Sequence, residues 1–344
     1  MQASAAWQPS TQVVWRNLDV LSQAQPLLVI NPPELAGWVE LNKSVPCLFF
    51  SQDYRVSQAF RQQGLEIEFA VLPSPEQWQM AGAVLLFWPK AKELAQWLLG
   101  LLTSLPRELP IWVVGEHQAG VKSTPKLVEA LGGSCYKQDN ARRCSLFQLE
   151  LPVAQPFSLE DYWRLDAWQL ADQSLQVARL PGVFSEQSLD KGSQLLLDHL
   201  FLPQQGRVLD FGCGAGVLGA YLKTKCPSAE VVMLDVSALA LEASKRTLAA
   251  NQLDATVLAS DAWSGVEGRF DFILSNPPFH TGIHTDYAPA LALISQAKAH
   301  LNPGGVLQLV ANSHLPYLEW LRQHFSKVQV DAETSQFRIY RAWR

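Results

Sequence analysis

Residues 207–236 place a short apolar strand, RVLDF, a glycine-rich turn, the helical stretch GVLGAYLKTK and a second apolar strand, EVVMLDV, in immediate succession. A helix between two such strands carries the chain back to its starting edge, so the strands lie parallel in one sheet, with a right-handed crossover. Both strands are apolar along nearly their whole length, the pattern of strands covered on both faces. The rhythm then continues. Ser237 stands as N-cap before an alanine-rich helix, ATVLAS, FDFILSN and VLQLVAN read as further strands, and helices are expected over 287–301 and 316–325. NPGG at 302–305 reads as the turn before VLQLVAN, and the closing KVQVDAETSQFRIYRAWR reads as a hairpin. The expected fold is a doubly wound, Rossmann-like α/β sheet of seven strands with an antiparallel final hairpin.

The first half has the same rhythm in LLVIN, VPCLFF, LEIEFAV, AVLLFWP and IWVVGE, a second small doubly wound sheet. A length of 344 residues suits two domains of ordinary size. We expect one domain over 1–155, a linker and lead-in over 156–180, rich in Pro and Trp at its start, and a second domain over 181–344. A hydrophobic share of 48% against 17% charged residues excludes a disordered chain, and AGAVLLFWP is too short to span a bilayer. The start MQASAAWQPST has neither a basic end nor an apolar run, so a cytoplasmic location is expected.

The five cysteines, Cys47, Cys135, Cys144, Cys213 and Cys226, form no CxxC pair and read as reduced core thiols. His280 and His284 have the spacing of two ligands on one helix face, but their surroundings are turn residues with no third ligand, so no metal is expected. Net charge is −5 and neither half carries an excess of Lys and Arg, so composition alone does not indicate a nucleic-acid binder. Lys90, Lys92, Lys122, Lys126, Arg142 and Arg143 are candidates for a phosphate-facing patch; the plainer reading is solvated surface charge.

Ligands of such sheets bind at the carboxyl ends of the strands, and four motifs stand there. In DFGCGAG, glycines at 212, 214 and 216 let the backbone turn sharply and approach a ligand at the start of the next helix. The spacing is GxGxG, one residue short of the dinucleotide fingerprint. Asp210 precedes the loop, where a carboxylate can meet an ammonium or amide. Asp235, at the end of MLDV, is placed to accept from both hydroxyls of a ribose, and Asp261 in SDAW to meet a purine edge. Capping the next helix is the plainer role for either aspartate. Together they describe a nucleoside that needs no pyrophosphate cradle, which S-adenosylmethionine fits. The fourth motif, SNPPF, carries no acid, base, thiol or metal ligand. LLVINPPELAGW also runs a strand into NPP, but with Glu34 in place of the aromatic and no glycine loop before it, and it reads as a turn.

DFGCGAG, MLDV, SDAW and SNPPF, in that order, resemble the cofactor and catalytic motifs of class I S-adenosylmethionine-dependent methyltransferases, and NPPF resembles those that methylate a planar exocyclic nitrogen. LPGVFSEQSLDKGSQLLLDHL, together with VLLFWPKAK, IWVVGEHQAGVKS and DNARRC in the first half, extends the resemblance over nearly the whole chain to the bacterial 16S ribosomal RNA guanine-N2 methyltransferases. The resemblance implies a degenerate, non-catalytic first domain, ribosomal RNA as partner, within the small subunit, and a monomer. It implies a cofactor site at Phe184, Asp190, Ser193, Asp210, Gly212, Cys213, Gly214, Gly216, Asp235, Val236, Asp261, Ala262 and Asn276, and a catalytic set of Asn276, Pro277, Pro278 and Phe279. In that family the lead-in folds over the methionine end of the cofactor. Read from the residues alone, Asp190 is an N-cap and the LLL run is core. A large-subunit guanine-N2 enzyme, a glutamine or adenine methyltransferase, and a non-enzymatic ribosome-assembly factor are the alternatives.

Overall fold

The computed structural model describes residues 7–34, 37–105, 108–152, 157–183, 189–203, 205–277 and 287–344. The chain forms two units, Met1–Asp161 and Tyr162–Arg344. In the first, β1 (Leu27–Ile30), β2 (Cys47–Ser51), β3 (Glu68–Phe69), β4 (Ala83–Phe87), β5 (Ile111–Glu116), β6 (Ser134–Ala141) and β7 (Cys144–Glu150) make one sheet in the order β3-β2-β1-β4-β5-β7-β6. β7 runs antiparallel between β5 and β6.

The second unit opens with a hairpin, β8 (Arg164–Leu170) and β9 (Gln173–Arg179). Its sheet is built from β10 (Arg207–Phe211), β11 (Glu230–Asp235), β12 (Thr256–Ala259), β13 (Phe270–Ser275), β14 (Leu301–Asn312), β15 (Lys327–Glu333) and β16 (Phe337–Trp343), in the order β12-β11-β10-β13-β14-β16-β15. The two sheets therefore share one strand order and one antiparallel closing strand. Both expected doubly wound sheets are present, the second with its expected seven strands and antiparallel hairpin; the first, expected from five strand segments, also has seven strands because β6 and β7 add a hairpin.

The central strands are buried on both faces, as their apolar runs require: β4 entirely, β10 from Val208 to Phe211 and β13 from Phe272 to Ser275. Helix Val217–Lys225 is buried from Val217 through Tyr221 to Leu222, because the sheet covers one side and β9 the other. Helix Ala238–Ala250 starts at Ser237, whose hydroxyl accepts the Ala240 N–H. Among the described residues no helix is long and apolar enough to cross a membrane.

Two local expectations are corrected. The stretch expected to link the halves carries the hairpin β8–β9, which is fastened to the second unit: Ala178 N–H donates to Thr247 Oγ1 at 3.0 Å, and the Asn251 amide exchanges two bonds with the Gln176 backbone. NPGG is not a turn outside the strand. β14 begins at Leu301, pairs with Phe270, and resumes at Val306 opposite Phe272, so the four residues bulge out within the strand, with Gly304 at φ 77°. Of the five cysteines, Cys144, Cys213 and Cys226 are buried, the other two are half-buried, and burial pushes the Cys47 thiol up to about 12.

Candidate active site

β10 lies between β11 and β13, and Asp210 stands level with Met233 on one side and Leu274 on the other. This is the point where the strand order reverses and a crevice opens beyond the strand ends. The glycine loop follows β10 with Gly212, Gly214 and Gly216 all in the left-handed region, at φ 76°, 55° and 81°. A Cβ on Gly216 would stand 2.8 Å from Met233 Cε and 2.9 Å from Ser244 Oγ, so only glycine fits there; beside Gly212 and Gly214 the space is open. The loop's amides are largely spoken for. Gly212 and Cys213 N–H both donate to Leu234 O at 2.9 Å, Gly214 N–H to Asp235 Oδ2 at 3.0 Å and Gly216 N–H to Cys213 O at 2.8 Å. A phosphate cradle needs such donors free; a loop that has spent them suits a ligand held by side chains.

Asp210 is fully buried. Its Oδ2 accepts the Gly219 N–H at 2.8 Å, while its Oδ1 has no hydrogen-bond partner. Burial, reinforced by the negative charge of Asp235 and only partly offset by the Gly219 N–H, pushes this carboxyl up to about 7. Asp235 is half-buried and accepts from Gly214 and from Ser237 N–H at 2.9 Å, and Val236 beside it is half-buried. Asp261 is exposed after β12, one strand further out, and next to it Ala262 takes φ 49°. Ser260 N–H donates to Asp235 O at 3.1 Å and joins the two turns. The wall below is aromatic: the Trp263 ring lies 5.1 Å from Phe211 and stacks on His300 at 4.2 Å.

β13 delivers the fourth motif. Ser275 Oγ, buried, donates to Phe211 O at 2.7 Å and pins the end of β13 to the end of β10. Asn276 follows. Its Nδ2 donates to Asp190 Oδ2 at 2.9 Å and to Ser193 Oγ at 2.8 Å. A carboxylate has no proton to give, so the amide nitrogen must face it and the carbonyl oxygen must face away. That oxygen, Asn276 Oδ1, is buried and has no hydrogen-bond partner. The other NPP stretch behaves differently: Asn31, after β1, donates from Nδ2 to Gln52 Oε1 and accepts the Gln52 N–H at Oδ1, both at 3.0 Å, leaving neither end of its amide unsatisfied.

The structure thus gathers the glycine loop, Asp210, Asp235 and Asn276 at adjoining strand ends. Pro277 is buried beside them. Pro278, Phe279, Phe184, His280 and His284 lie outside the described residues. Among the described residues no cluster of His, Cys, Asp and Glu is arranged to hold a metal ion. Asp190 does cap helix Lys191–Asp198, through the Ser193 N–H at 3.0 Å. The reading of Asp190 and Ser193 as cofactor contacts missed their grip on Asn276. It also missed Ser275 and Ser244, whose hydroxyl supports Gly214 O at 2.9 Å. The short polar side chains inside buried strands and helices were the available signal.

Of the basic residues singled out in the first unit, Arg142 and Arg143 form the tip between β6 and β7, both exposed and at φ 53° and 58°. Lys122 sits in the short helical turn after β5, where Arg143 O accepts the His117 N–H, so these three share one end of the sheet.

Fold and strand-end set together define a Rossmann-like methyltransferase. Residues 174–341 match the Methyltransferase small domain and residues 11–165 the Methyltransferase small domain N-terminal family. Ribosomal RNA small subunit methyltransferase C of Pasteurella multocida is 47% identical over 264 residues, 76% of this chain and 80% of that one. Its counterpart in Salmonella choleraesuis is 39% identical over 346 residues, 98% of this chain and 97% of that one. Among solved structures, the T. thermophilus 16S rRNA N2 G1207 methyltransferase, in complex with AdoMet and guanosine, matches with a TM-score of 0.81 at 25% identity, covering 99% of this chain and 93% of that one. The chain belongs to the ribosomal RNA small subunit methyltransferase C family.

Proposed function

We propose that this protein methylates the exocyclic N2 of a guanosine in small-subunit ribosomal RNA, using S-adenosylmethionine, and that it does so in the cytoplasm as a monomer. The observation that carries the reading is the Asn276 amide, with its nitrogen held by Asp190 and Ser193 and its buried oxygen left without a donor. The T. thermophilus relative, named for N2 methylation of G1207 and solved with AdoMet and guanosine, supports the choice of nitrogen and of RNA.

The strand ends fit the cofactor. Asp210 offers an unpaired buried oxygen suited to a cation or N–H donor, Asp235 a carboxylate suited to ribose hydroxyls, Asp261 an exposed carboxylate for the adenine edge, and Gly212 and Gly214 an open backbone surface. S-adenosylmethionine, when bound, supplies a methyl group activated by a positively charged sulfur.

The protein's part is to make a poor nucleophile competent. The lone pair of a guanine amine is drawn into the ring. Asn276 Oδ1 and the main-chain carbonyl of Pro277 each accept one of its N–H groups, turning the lone pair out of conjugation and stabilising positive charge as it develops on nitrogen. An unsatisfied buried acceptor costs about 1–3 kcal/mol; that cost is carried by the free protein and relieved when the amine arrives. Proline at 277 fixes φ and removes a competing donor. The Asp190 carboxylate draws on the amide N–H and polarises the carbonyl at its other end. No residue in this set needs to take a proton from the amine beforehand. In the first unit β1 is followed by no glycine loop among the described residues, and Asn31 is bonded at both ends of its amide, which supports the reading that the cofactor belongs to the second unit.

The test supplies labelled S-adenosylmethionine with small subunits, large subunits, naked 16S RNA or a release factor, then digests and identifies the labelled product. N2-methylguanosine from small-subunit RNA is expected. Label in glutamine, in adenosine or only in large-subunit RNA overturns the proposal, and no label with any acceptor favours an assembly factor.

A further inference from the structure

Asn276 owes its orientation to helix Lys191–Asp198, whose first turn brings Asp190 and Ser193 to its amide nitrogen. The far end of that helix is held from another strand. Its own closing bonds are long, His199 N–H to Leu196 O and Leu200 N–H to Leu197 O, both at 3.3 Å, and His199 and Phe201 are exposed. Gln308, fully buried in β14, closes it instead: Nε2 donates to His199 O at 2.9 Å, and Oε1 accepts the Phe201 N–H at 2.9 Å. The second Nε2 hydrogen goes to Asp331 Oδ2 at 2.9 Å, so both donors and the acceptor of this amide are in use. Asp331 stands where the register of β15 shifts, and a bulge of this kind re-aims a side chain. Its other oxygen accepts from Arg341 Nη2 at 2.8 Å, and the Arg341 guanidinium lies 5.4 Å from the centre of the Phe201 ring.

The fold itself does not demand a polar residue here. Asp210, Leu274, Gln308 and Arg341 form one row across β10, β13, β14 and β16, through the next-to-last residue of β13. The row through the next-to-last residue of β4 in the first unit is Ile30, Leu86, Val113 and Phe147, apolar throughout. Burying an amide is costly unless every bond is made, and the same architecture fills the position with valine. The polar row accompanies the site. Its consequence is mechanical. Eight helical residues make a stiff rod of about 12 Å. Gln308 pins the far end, and near the start a Cβ added to Gly192 would stand 3.2 Å from Phe337 Cε1, so the first turn lies against β16. Held at both places, the helix keeps Asp190 Oδ2 and Ser193 Oγ at 2.9 and 2.8 Å from Asn276 Nδ2.

We propose that Gln308 is a positioning residue for methyl transfer: it fixes helix Lys191–Asp198 in the register from which Asp190 and Ser193 orient the Asn276 amide. The proposal rests on the guanosine-N2 reading above. Gln308→Met keeps the bulk of the side chain and removes all three bonds. In the full-length protein it is compared with wild type, with Asp190→Asn and with the double variant, for kcat and KM on small subunits and for S-adenosylhomocysteine affinity. We expect kcat to fall about 10–100-fold, the scale of a misplacement of about an ångström, with KM and S-adenosylhomocysteine affinity within threefold of wild type. In the Asp190→Asn background the same substitution should lower kcat less than threefold, because the group it acts through is already lost. A residue that only stabilises the fold would lower the melting temperature and leave kcat unchanged, or lower kcat equally in both backgrounds; either result overturns the proposal. Should Gln308→Met not fold, Asp331→Ala on the edge strand β15 removes one of the three bonds and should lower kcat about threefold, again only while Asp190 is intact. An equal loss in both backgrounds, or none, overturns the proposal in that variant too. Failure of the guanosine-N2 reading looks different: the wild-type protein itself then labels no guanosine.

Discussion

Replacing Asp210 by asparagine separates what this residue costs the fold from what it does for the cofactor. Its carboxyl is raised from the ordinary 3.8 to about 7, chiefly by burial. At about 1.4 kcal/mol per pKa unit, holding Asp210 ionised costs the free protein roughly 4 kcal/mol. The sign follows from proton binding. The folded carboxyl holds its proton more tightly than the unfolded one, so the full stability is present below the unfolded pKa, is lost progressively as pH rises, and is gone above about 7. Roughly 3 kcal/mol of that loss falls between pH 5 and pH 8 by the same linkage. An amide of the same shape keeps an acceptor for the Gly219 N–H and carries no charge to desolvate. Urea unfolding of cofactor-free wild type and Asp210→Asn at pH 5 and pH 8 is the assay. The variant should gain about 3 kcal/mol on wild type between the two pH values, while its affinity for S-adenosylmethionine falls at pH 8. Parallel stability curves, with a constant offset at both pH values, would refute the argument that this carboxylate is penalised by burial.

Three further outcomes follow from the same geometry. Asp190→Asn should lower turnover by about 10²–10³-fold, the range for losing one preorganised donor or acceptor partner, with cofactor affinity within threefold; equal losses in both would return Asp190 to the cofactor site. Gly216→Ala, which sets a Cβ 2.8 Å from Met233 Cε at φ 81°, should cost about 2–4 kcal/mol in denaturant unfolding. Gly212→Ala, whose Cβ would meet nothing within 4 Å, should cost only the backbone term of about 1–2 kcal/mol, so similar losses at the two positions would contradict the crowding described at Gly216.

The sheets were legible because their strands are short apolar runs, with helical stretches between the parallel ones, and the site was legible where chemistry is written in consecutive residues, as in the glycine loop, Asp235 and Asn276. What stayed hidden depends on distant partners. The hairpin β8–β9 is held by Thr247 and Asn251, in and just after a helix much later in the chain, and its own pattern is weak, with Asp166 on the face that buries Trp168 and Leu170 while Leu165 is exposed. Asp190 and Asn276 stand 86 residues apart, so nothing local in DKGS announces which amide it orients. Likewise the two Asn-Pro-Pro stretches differ less in sequence than in what their amides meet: Gln52 engages both ends of the Asn31 amide, whereas Asp190 and Ser193 engage only the nitrogen of Asn276.

The central claim is that a guanine amine becomes reactive by being held between two carbonyl oxygens. Asn276→Ala tests it when N2-methylguanosine formation and S-adenosylmethionine binding are measured on the same preparation. The account predicts turnover lower by about 10²–10³-fold with cofactor bound as tightly as in wild type. Turnover close to wild type at undiminished cofactor affinity would contradict it.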